Sequence, residues 1–294
     1  MSALAVVNAP AAGGMAGAVT AAVLLSAIAH ASWNAIAAGM KDKVVAFTVL
    51  GLGSLAIVVP LTAWAPVPAE ASWPFLVASA VIHVAYNLLL MQSYRLGDFS
   101  QVYPLARGIS PLVVTVAAAV FVGERLAPLQ LAGVAVVSAG LGSLVVLGRH
   151  PGRQDRGAVA AAVGTGLAIA TYTVVDGVGV RAAGDAFGYI VWLNIFNSAA
   201  IPVGAFCVRG RDLVAQARPY WAYGLVGGAL TLLAYGLVLW AQTRGALAPI
   251  AALRESSIII GAIIGAVFFH ERFGVPRVVA AVLVTMGIVL LNLP

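Results

Sequence analysis

Apolar runs of about twenty residues, separated by short breaks holding charge, Pro or Gly, recur ten times along this chain. They cover roughly residues 16–40, 44–64, 73–94, 99–122, 128–147, 157–180, 187–208, 219–243, 246–269 and 275–293. About 20 apolar residues are what a helix needs to cross the hydrocarbon core. In lipid the backbone must satisfy its own hydrogen bonds, so each run is expected to be helical. The alternating polarity of an outer-membrane barrel strand is absent from the sequence. The connectors are short, and the most polar stretch, Arg149 to Arg156, falls at the midpoint. The pattern predicts an all-α integral membrane protein with ten transmembrane helices and no soluble domain.

The pattern also occurs twice. Residues 94–145 carry Leu105-Ala106-Arg107, Ser110, Gly123-Glu124-Arg125 and Gly140. Residues 243–291 carry Ala252-Leu253-Arg254, Ser257, His270-Glu271-Arg272 and Gly287, each displaced by 147 positions. Upstream the displacement is 149, from Ala85-Tyr86 to Ala234-Tyr235 and from Arg95 to Arg244. The duplication divides the chain into a first five-helix repeat, 1–147, a polar linker, 148–156, and a second repeat, 157–294. Five spans per repeat is an odd number, so the second repeat is expected to be inverted in the membrane. Duplicated, inverted halves are a common plan for secondary transporters.

Composition sharpens this picture. The chain is 62% hydrophobic and 9% charged, with a mean hydropathy of +1.02. Soluble domains carry about 25% charged residues, and a chain this apolar would expose large patches to water. The lipid bilayer is therefore its expected surroundings. The net charge of +6 comes from basic residues in connectors, which gives no reason to expect a nucleic-acid partner. A single Cys207 excludes an internal disulfide and a cysteine metal cluster. His30, His83, His150 and His270 lack metal-ligand spacing, so neither metal nor cofactor is expected. No Lys or Arg precedes Lys41, so the first apolar run is read as a retained span rather than a signal peptide. Odd-numbered loops hold 11 basic residues, against 3 in even-numbered loops and the termini. Positive loops face the cytoplasm, which places both termini on the other side.

Polar residues inside the spans are the candidates for function. Span one carries Ser26, His30, Trp33 and Asn34, and span three carries Ser79, His83, Tyr86 and Asn87, with identical spacing. Such residues share one helix face. They are either helix–helix glue or two walls of one cavity. Span six carries Thr165, Tyr172 and Asp176; span seven Trp192, Asn194 and Asn197; span eight Thr231, Tyr235 and Gln242. Asp176 either faces a cavity or is solvated near a membrane end. Arg107 and the run Arg254-Glu255-Ser256-Ser257 are the costliest residues, since a mid-span charge costs ~2.5–3.5 kcal/mol to insert. They form either a substrate site or a fixed ion pair. Pro104, Pro111 and Pro249 are expected to free nearby carbonyls. Gly261 and Gly265 form a small-residue packing motif, usable within the bundle or in a dimer. Glu124 and Glu271 are expected to cap the helix that follows each of them. No zinc-protease motif, nucleotide-binding loop or catalytic triad is present, so an enzyme is not expected.

The stretch Pro104, Pro111, Gly123-Glu124-Arg125-Leu126, Gln130, Gly133 and Gly140 resembles the C-terminal half of an EamA-type repeat, from the drug/metabolite transporter superfamily. The second copy departs at Ala251, Arg277 and Ala280, where the first has Pro104, Gln130 and Gly133. Spans one and three and the Leu-Arg-Glu-Ser-Ser run are most similar to aromatic amino-acid exporters of the YddG type. The resemblance implies a carrier of the bacterial inner membrane that exports amino acids or similar metabolites. Exporters of drugs or nucleosides belong to the same superfamily, and a non-transporting scaffold is the alternative of another class. The expected assembly is a monomer or weak homodimer. The substrate site is expected to draw on Trp33, Asn34, His83, Tyr86, Asn87, Tyr103, Arg107, Tyr172, Asp176, Tyr235, Arg254, Glu255, Ser256 and Ser257. A zwitterion's carboxylate would meet Arg107 or Arg254 with the serines. Its ammonium would meet Asp176, Glu255, Asn34 or Asn87, with Trp33 or Tyr86 adding cation–π contact.

Overall fold

The computed structural model describes residues 17–96, 99–147, 156–268 and 274–293. Every regular element among them is helical: α1 (Gly17–Gly39), α2 (Lys43–Leu61), α3 (Trp73–Leu96), α4 (Phe99–Ala117), α5 (Pro128–Leu147), α6 (Arg156–Ala182), α7 (Ala186–Arg209), α8 (Arg211–Ala217), α9 (Trp221–Gln242), α10 (Leu247–Arg254), α11 (Ser257–Phe268) and α12 (Val275–Asn292). Seven helical segments among the described residues are long and apolar enough to cross a membrane, and Pro128–Ser143 and Val278–Asn292 are shorter apolar helices. Large side chains such as Val116, Val120, Val208 and Trp221 point outward and are exposed. An apolar exterior on a bundle with a polar-studded interior is what a lipid environment requires. The chain is a multi-pass membrane protein.

Short connectors are stabilised by their own charges. Between α1 and α2, Asp42 Oδ1 accepts from the Val44 and Val45 N–H groups at 2.9 and 3.2 Å. Lys43 Nζ turns back and donates to the Ala38 and Met40 carbonyls, both at 2.7 Å. Adjacent residues thus satisfy the orphan donors of one helix and the orphan acceptors of the previous one. Asp185 starts α7 in the same way, accepting from Gly188 N–H at 2.7 Å.

Helices in lipid gain little from the hydrophobic effect and associate through close packing of small residues. A Cβ on Gly53 of α2 would collide with the Gly224 carbonyl of α9, so only glycine permits this approach. The α5–α12 contact is built similarly: a Cβ on Gly133 would lie 2.9 Å from the Gly287 carbonyl, and one on Gly140 would lie 3.2 Å from the Ala280 carbonyl. Gly133 and Ala280 are repeat mates, as are Gly140 and Gly287. Packing partners follow the same exchange: α3 lies on α6 and α9 on α1, α4 on α6 and α11 on α1, while α2 meets α7 and α5 meets α12.

One expectation is corrected. Span nine, expected as one run, is two helices, α10 and α11, with the break at Glu255-Ser256 and Pro249 inside α10. Through the break, the N–H groups of Glu255, Ser256, Ile258 and Ile259 bond three residues back at 3.0–3.1 Å, a tighter winding than the α-helix. Helix α4 runs on past Pro104 and Pro111, and loosens only at a π-helical turn, Ala118–Val122. The connector between spans seven and eight holds a short helix, α8, joined to α9 through a single turn at Arg218–Tyr220. A Cβ on Gly261 would meet nothing within 4 Å, so this end of the small-residue motif faces away from the bundle. The Glu271-Arg272 turn lies outside the described residues.

Candidate functional site

The two matched stripes, on α1 and α3, face one another across a cavity of about 110 Å³. His30 and Trp33 line it from α1, and His83, Tyr86 and Asn87 from α3. Phe47 and Ser54 on α2, Tyr172 on α6, Asn194, Asn197 and Ser198 on α7, and Thr231 and Tyr235 on α9 complete the polar and aromatic wall. The rings form a connected box. His83 stacks on Tyr172 with centroids 4.0 Å apart, and Tyr235 stands edge-on to both at 5.2 and 5.8 Å. Tyr86 is edge-on to Tyr172 at 5.5 Å, and Trp33 is edge-on to His30 at 5.1 Å. Such walls recognise apolar and aromatic groups while keeping hydroxyls and amides in reach. The volume is below the ~300–1,000 Å³ of a cleft filled by a drug-sized ligand. A substrate as large as an aromatic amino acid needs the helices to part further.

Arg107, Arg254 and Glu255 form a buried charge cluster beside this box. Arg107 Nε lies 3.0 Å from Glu255 Oε2 and Arg254 Nε lies 3.9 Å from Glu255 Oε1, with all three side chains at most 3% exposed. These are contacts of charge without well-aligned hydrogen bonds: neither Glu255 oxygen has a hydrogen-bond donor. Arg107 Nη2 donates to Ser257 Oγ at 2.9 Å. Two guanidiniums against one carboxylate leave the cluster one positive charge in excess. Arg254 Nε and Nη2 and Ser256 Oγ are buried without a hydrogen-bond partner. The Arg254 guanidinium carbon lies 6.0 Å from the centre of the Tyr172 ring, which is part of the cavity wall.

Asp176 is fully buried, which removes the solvated reading of that residue. It accepts from Tyr189 of α7 at 3.0 Å and from Tyr235 of α9. Asp176 therefore sits behind Tyr235, not on the cavity surface. Asn34 is buried off the wall as well; its amide donates to the His30 carbonyl at 2.8 Å, and its oxygen accepts from Tyr94 at 3.5 Å. The side chain of Tyr103 lies outside the described residues.

Glu124 has a different role from the one its position suggested. Its carboxylate does not cap α5; instead Gln130 Oε1 accepts there from Ala127 N–H at 3.1 Å. Glu124 accepts from Leu247 N–H at 2.9 and 3.1 Å, capping α10 in the other half of the chain. Arg181, at the end of α6, donates to Glu124 at 3.2 Å and to the Gln242 and Gly245 carbonyls at 2.8 Å. Burial pushes the Glu124 carboxyl up from its ordinary range, against the opposing pull of Arg181 and the Leu247 N–H. Gly123, at φ 74°, makes the turn that presents it.

The sequence reading named neither Arg181 nor Tyr189 as a site residue. Each joins its partner across a loop or between halves, where helical periodicity gives no signal. Among the described residues no group of His, Cys, Asp or Glu has the geometry to hold a metal ion.

Residues 156–293 match the EamA-like transporter family. No curated protein matches the chain significantly. A solved crystal structure aligns with 96% of this chain and 98% of its own, at a TM-score of 0.68 and 15% identity. At that identity the likeness is one of fold, and it extends over both halves.

Proposed function

We infer the activity of this membrane protein from the EamA-like transporter domain that residues 156–293 form. Our reading is a secondary transporter that exports small metabolites, chiefly amino acids with aromatic or apolar side chains, from the bacterial cytoplasm. Ten spans in two inverted repeats would carry it, with both termini outside the cytoplasm. The exchange of packing partners between halves, with Gly133 against Gly287 and Gly140 against Ala280, supports that symmetry. Alternating access follows from rocking one repeat-derived bundle against the other.

One observation carries the substrate reading. Arg254 and Ser256 hold buried, unspent donors within a positively charged cluster that adjoins an aromatic cavity. A buried donor without a partner costs about 1–3 kcal/mol. A carboxylate entering from the cavity would recover that cost and neutralise the excess charge. The aromatic faces of Tyr86 and Trp33 and the Asn87 amide would receive the ammonium, and the ring box would receive the side chain. Arg107, Glu255 and Ser257 would hold Arg254 and the α10–α11 break in place. In proteoliposomes, Arg254→Gln should abolish saturable amino-acid counterflow while a neutral substrate lacking the carboxylate is affected far less. Equal losses for both substrates would remove Arg254 from the carboxylate site.

A further inference from the structure

We propose that the groove on the outer face of α2, between α7 and α9, binds one anionic phospholipid, with an acyl chain along the groove and the phosphate on Arg218. The site goes beyond the transport reading, since it needs a membrane and not a particular substrate.

The groove has a volume of about 740 Å³, within the range of clefts that hold a drug-sized molecule. Thr48, Leu52 and Ala56 line it at four-residue spacing on one face of α2, so it runs about 12 Å at 1.5 Å per residue. Val203 and Phe206 of α7 and Trp221 and Leu225 of α9 flank it. Gly210, at φ 55°, turns the chain out of α7 and into α8. Helix α8 and the turn after it border the groove through Val214 and Arg218. The lining is apolar apart from Thr48, Cys207, Arg218 and the indole of Trp221.

Charge selects the occupant. Arg218 is exposed at the mouth, and among the described residues no carboxylate pairs with it. Arg209 pairs with Asp42 at 2.6 Å, which brings the connector after α1 to the connector after α7. At this end Lys41, Lys43, Arg209, Arg211 and Arg218 outnumber Asp42 and Asp212. Tyr220, Trp221 and Tyr223 follow and are exposed, and such residues gather where hydrocarbon meets headgroups. A basic patch at that level beside an apolar groove between helices suits an anionic headgroup and its chain. Thr48 supplies a second polar point: its hydroxyl is buried with no hydrogen-bond partner among the described residues, and a lipid ester carbonyl would accept from it. A second copy of the chain fits less well, because an axis along the membrane normal sets two basic rims at one level.

The groove and the aromatic cavity share a wall. Thr48, Val49 and Leu52 line the groove, and Phe47, Leu50 and Ser54 line the cavity. Helix α2 is held there by two close backbone approaches. A Cβ on Gly51 would lie 2.6 Å from the Ser198 carbonyl of α7, and one on Gly53 would collide with the Gly224 carbonyl of α9. Pro202 has no N–H for the Ser198 carbonyl four residues back, which leaves that oxygen to face Gly51. A lipid chain on the outer face of α2 therefore backs the wall of the cavity.

The single cysteine, Cys207, is exposed and lines the groove, so its alkylation reports occupancy. The test uses the purified full chain in nonionic detergent with N-ethylmaleimide, and adds phosphatidylglycerol or phosphatidylcholine of the same acyl chains. Both lipids should slow the reaction, phosphatidylglycerol at an about fivefold lower mole fraction, the worth of one basic side chain at an anionic surface. Arg218→Gln should bring the two lipids together, and Arg218→Lys should keep most of the difference. Native mass spectrometry should find phosphatidylglycerol retained by the wild type and lost from Ala56→Trp, whose ring fills the groove. Equal protection by the two lipids, or a preference that survives in Arg218→Gln, would overturn the site. So would equal protection by glycerol phosphate alone, which marks a headgroup site without the chain. A dimer that shields Cys207 and separates in Ala56→Trp would overturn it too, by making the groove an interface between copies. If Ala56→Trp does not fold, the two Arg218 variants decide the matter. None of these readouts depends on transport.

Discussion

Replacing Glu255 by Gln keeps the side-chain shape and removes the carboxylate that, among the described residues, contacts two buried guanidiniums. The contacts are 3.0 Å to Arg107 and 3.9 Å to Arg254, with no side chain of the three more than 3% exposed. At an effective dielectric of ~20, unit charges at these separations attract by about 5 and 4 kcal/mol. Desolvation of three ions offsets much of that gain in the native protein. Glu255→Gln loses the attraction while the two guanidiniums stay buried. Breaking a buried pair in this way costs ~3–5 kcal/mol. For a chain of this size about 2 °C of Tm accompanies each kcal/mol, so the expected drop is about 6–10 °C. The assay is thermal unfolding in detergent, followed by tryptophan fluorescence. Adding Arg107→Gln to Glu255→Gln should recover part of the loss, because one of the uncompensated charges is then gone. A drop below about 2 °C, or a double variant no more stable than the single one, would refute the claim that Glu255 is the counterion of the cluster.

Three further outcomes follow from packing and charge. Gly53→Ala forces a Cβ into the Gly224 carbonyl, so α2 and α9 must separate and about 1–3 kcal/mol is lost; Gly142→Ala, with nothing within 4 Å, should melt like the wild type. Glu124→Gln weakens the cap on α10 and the contact with Arg181, so protease cleavage or hydrogen exchange should rise at residues 243–250 before the rest of the bundle opens; an unchanged exchange rate there contradicts the cap. Arg209→Ala removes an exposed pair with Asp42 and should cost at most about 1 kcal/mol, less in high salt. Partial burial works against the Asp42 carboxylate, but Arg209 and the Val45 and Val44 N–H groups outweigh it and hold Asp42 below its ordinary range. A depressed carboxyl stabilises the fold above its unfolded value of ~3.9 and ceases to do so as pH falls through its folded value. The Tm difference between wild type and Arg209→Ala should therefore close on acidification, and a constant difference would contradict the pairing.

Membrane-spanning helices were legible because lipid imposes one length and one backbone solution. The paired stripes on α1 and α3 were legible for a similar reason: Ser, His, aromatic and Asn at +4, +7 and +8 leave one face of a helix. The pairing of Arg107 with Glu255 was one of two readings the sequence offered, but other contacts between helices were not legible. Tyr189 reaches Asp176 from across the α6–α7 turn, and Arg181 reaches Glu124 from another half, with no spacing rule to announce either. Glu124 shows why local logic fails here. A carboxylate just before a helix suits that helix, yet the Gly123 turn aims it at the unsatisfied Leu247 N–H. The break in span nine was not legible either: its one proline, Pro249, has its missing N–H in the first turn of α10, where no intrahelical bond is lost.

The central claim is that this chain is a carrier with an amino-acid site between the cavity and Arg254. Counterflow in proteoliposomes of the purified protein tests it most directly, with unlabelled amino acids inside and labelled phenylalanine outside, beside a panel of threonine, methionine, nucleosides and a cationic drug. The account predicts saturable phenylalanine counterflow that other apolar amino acids compete for and that Arg254→Gln abolishes. Exchange of a nucleoside or drug with no amino-acid counterflow would contradict the assigned substrate, and no exchange of any compound would contradict transport itself.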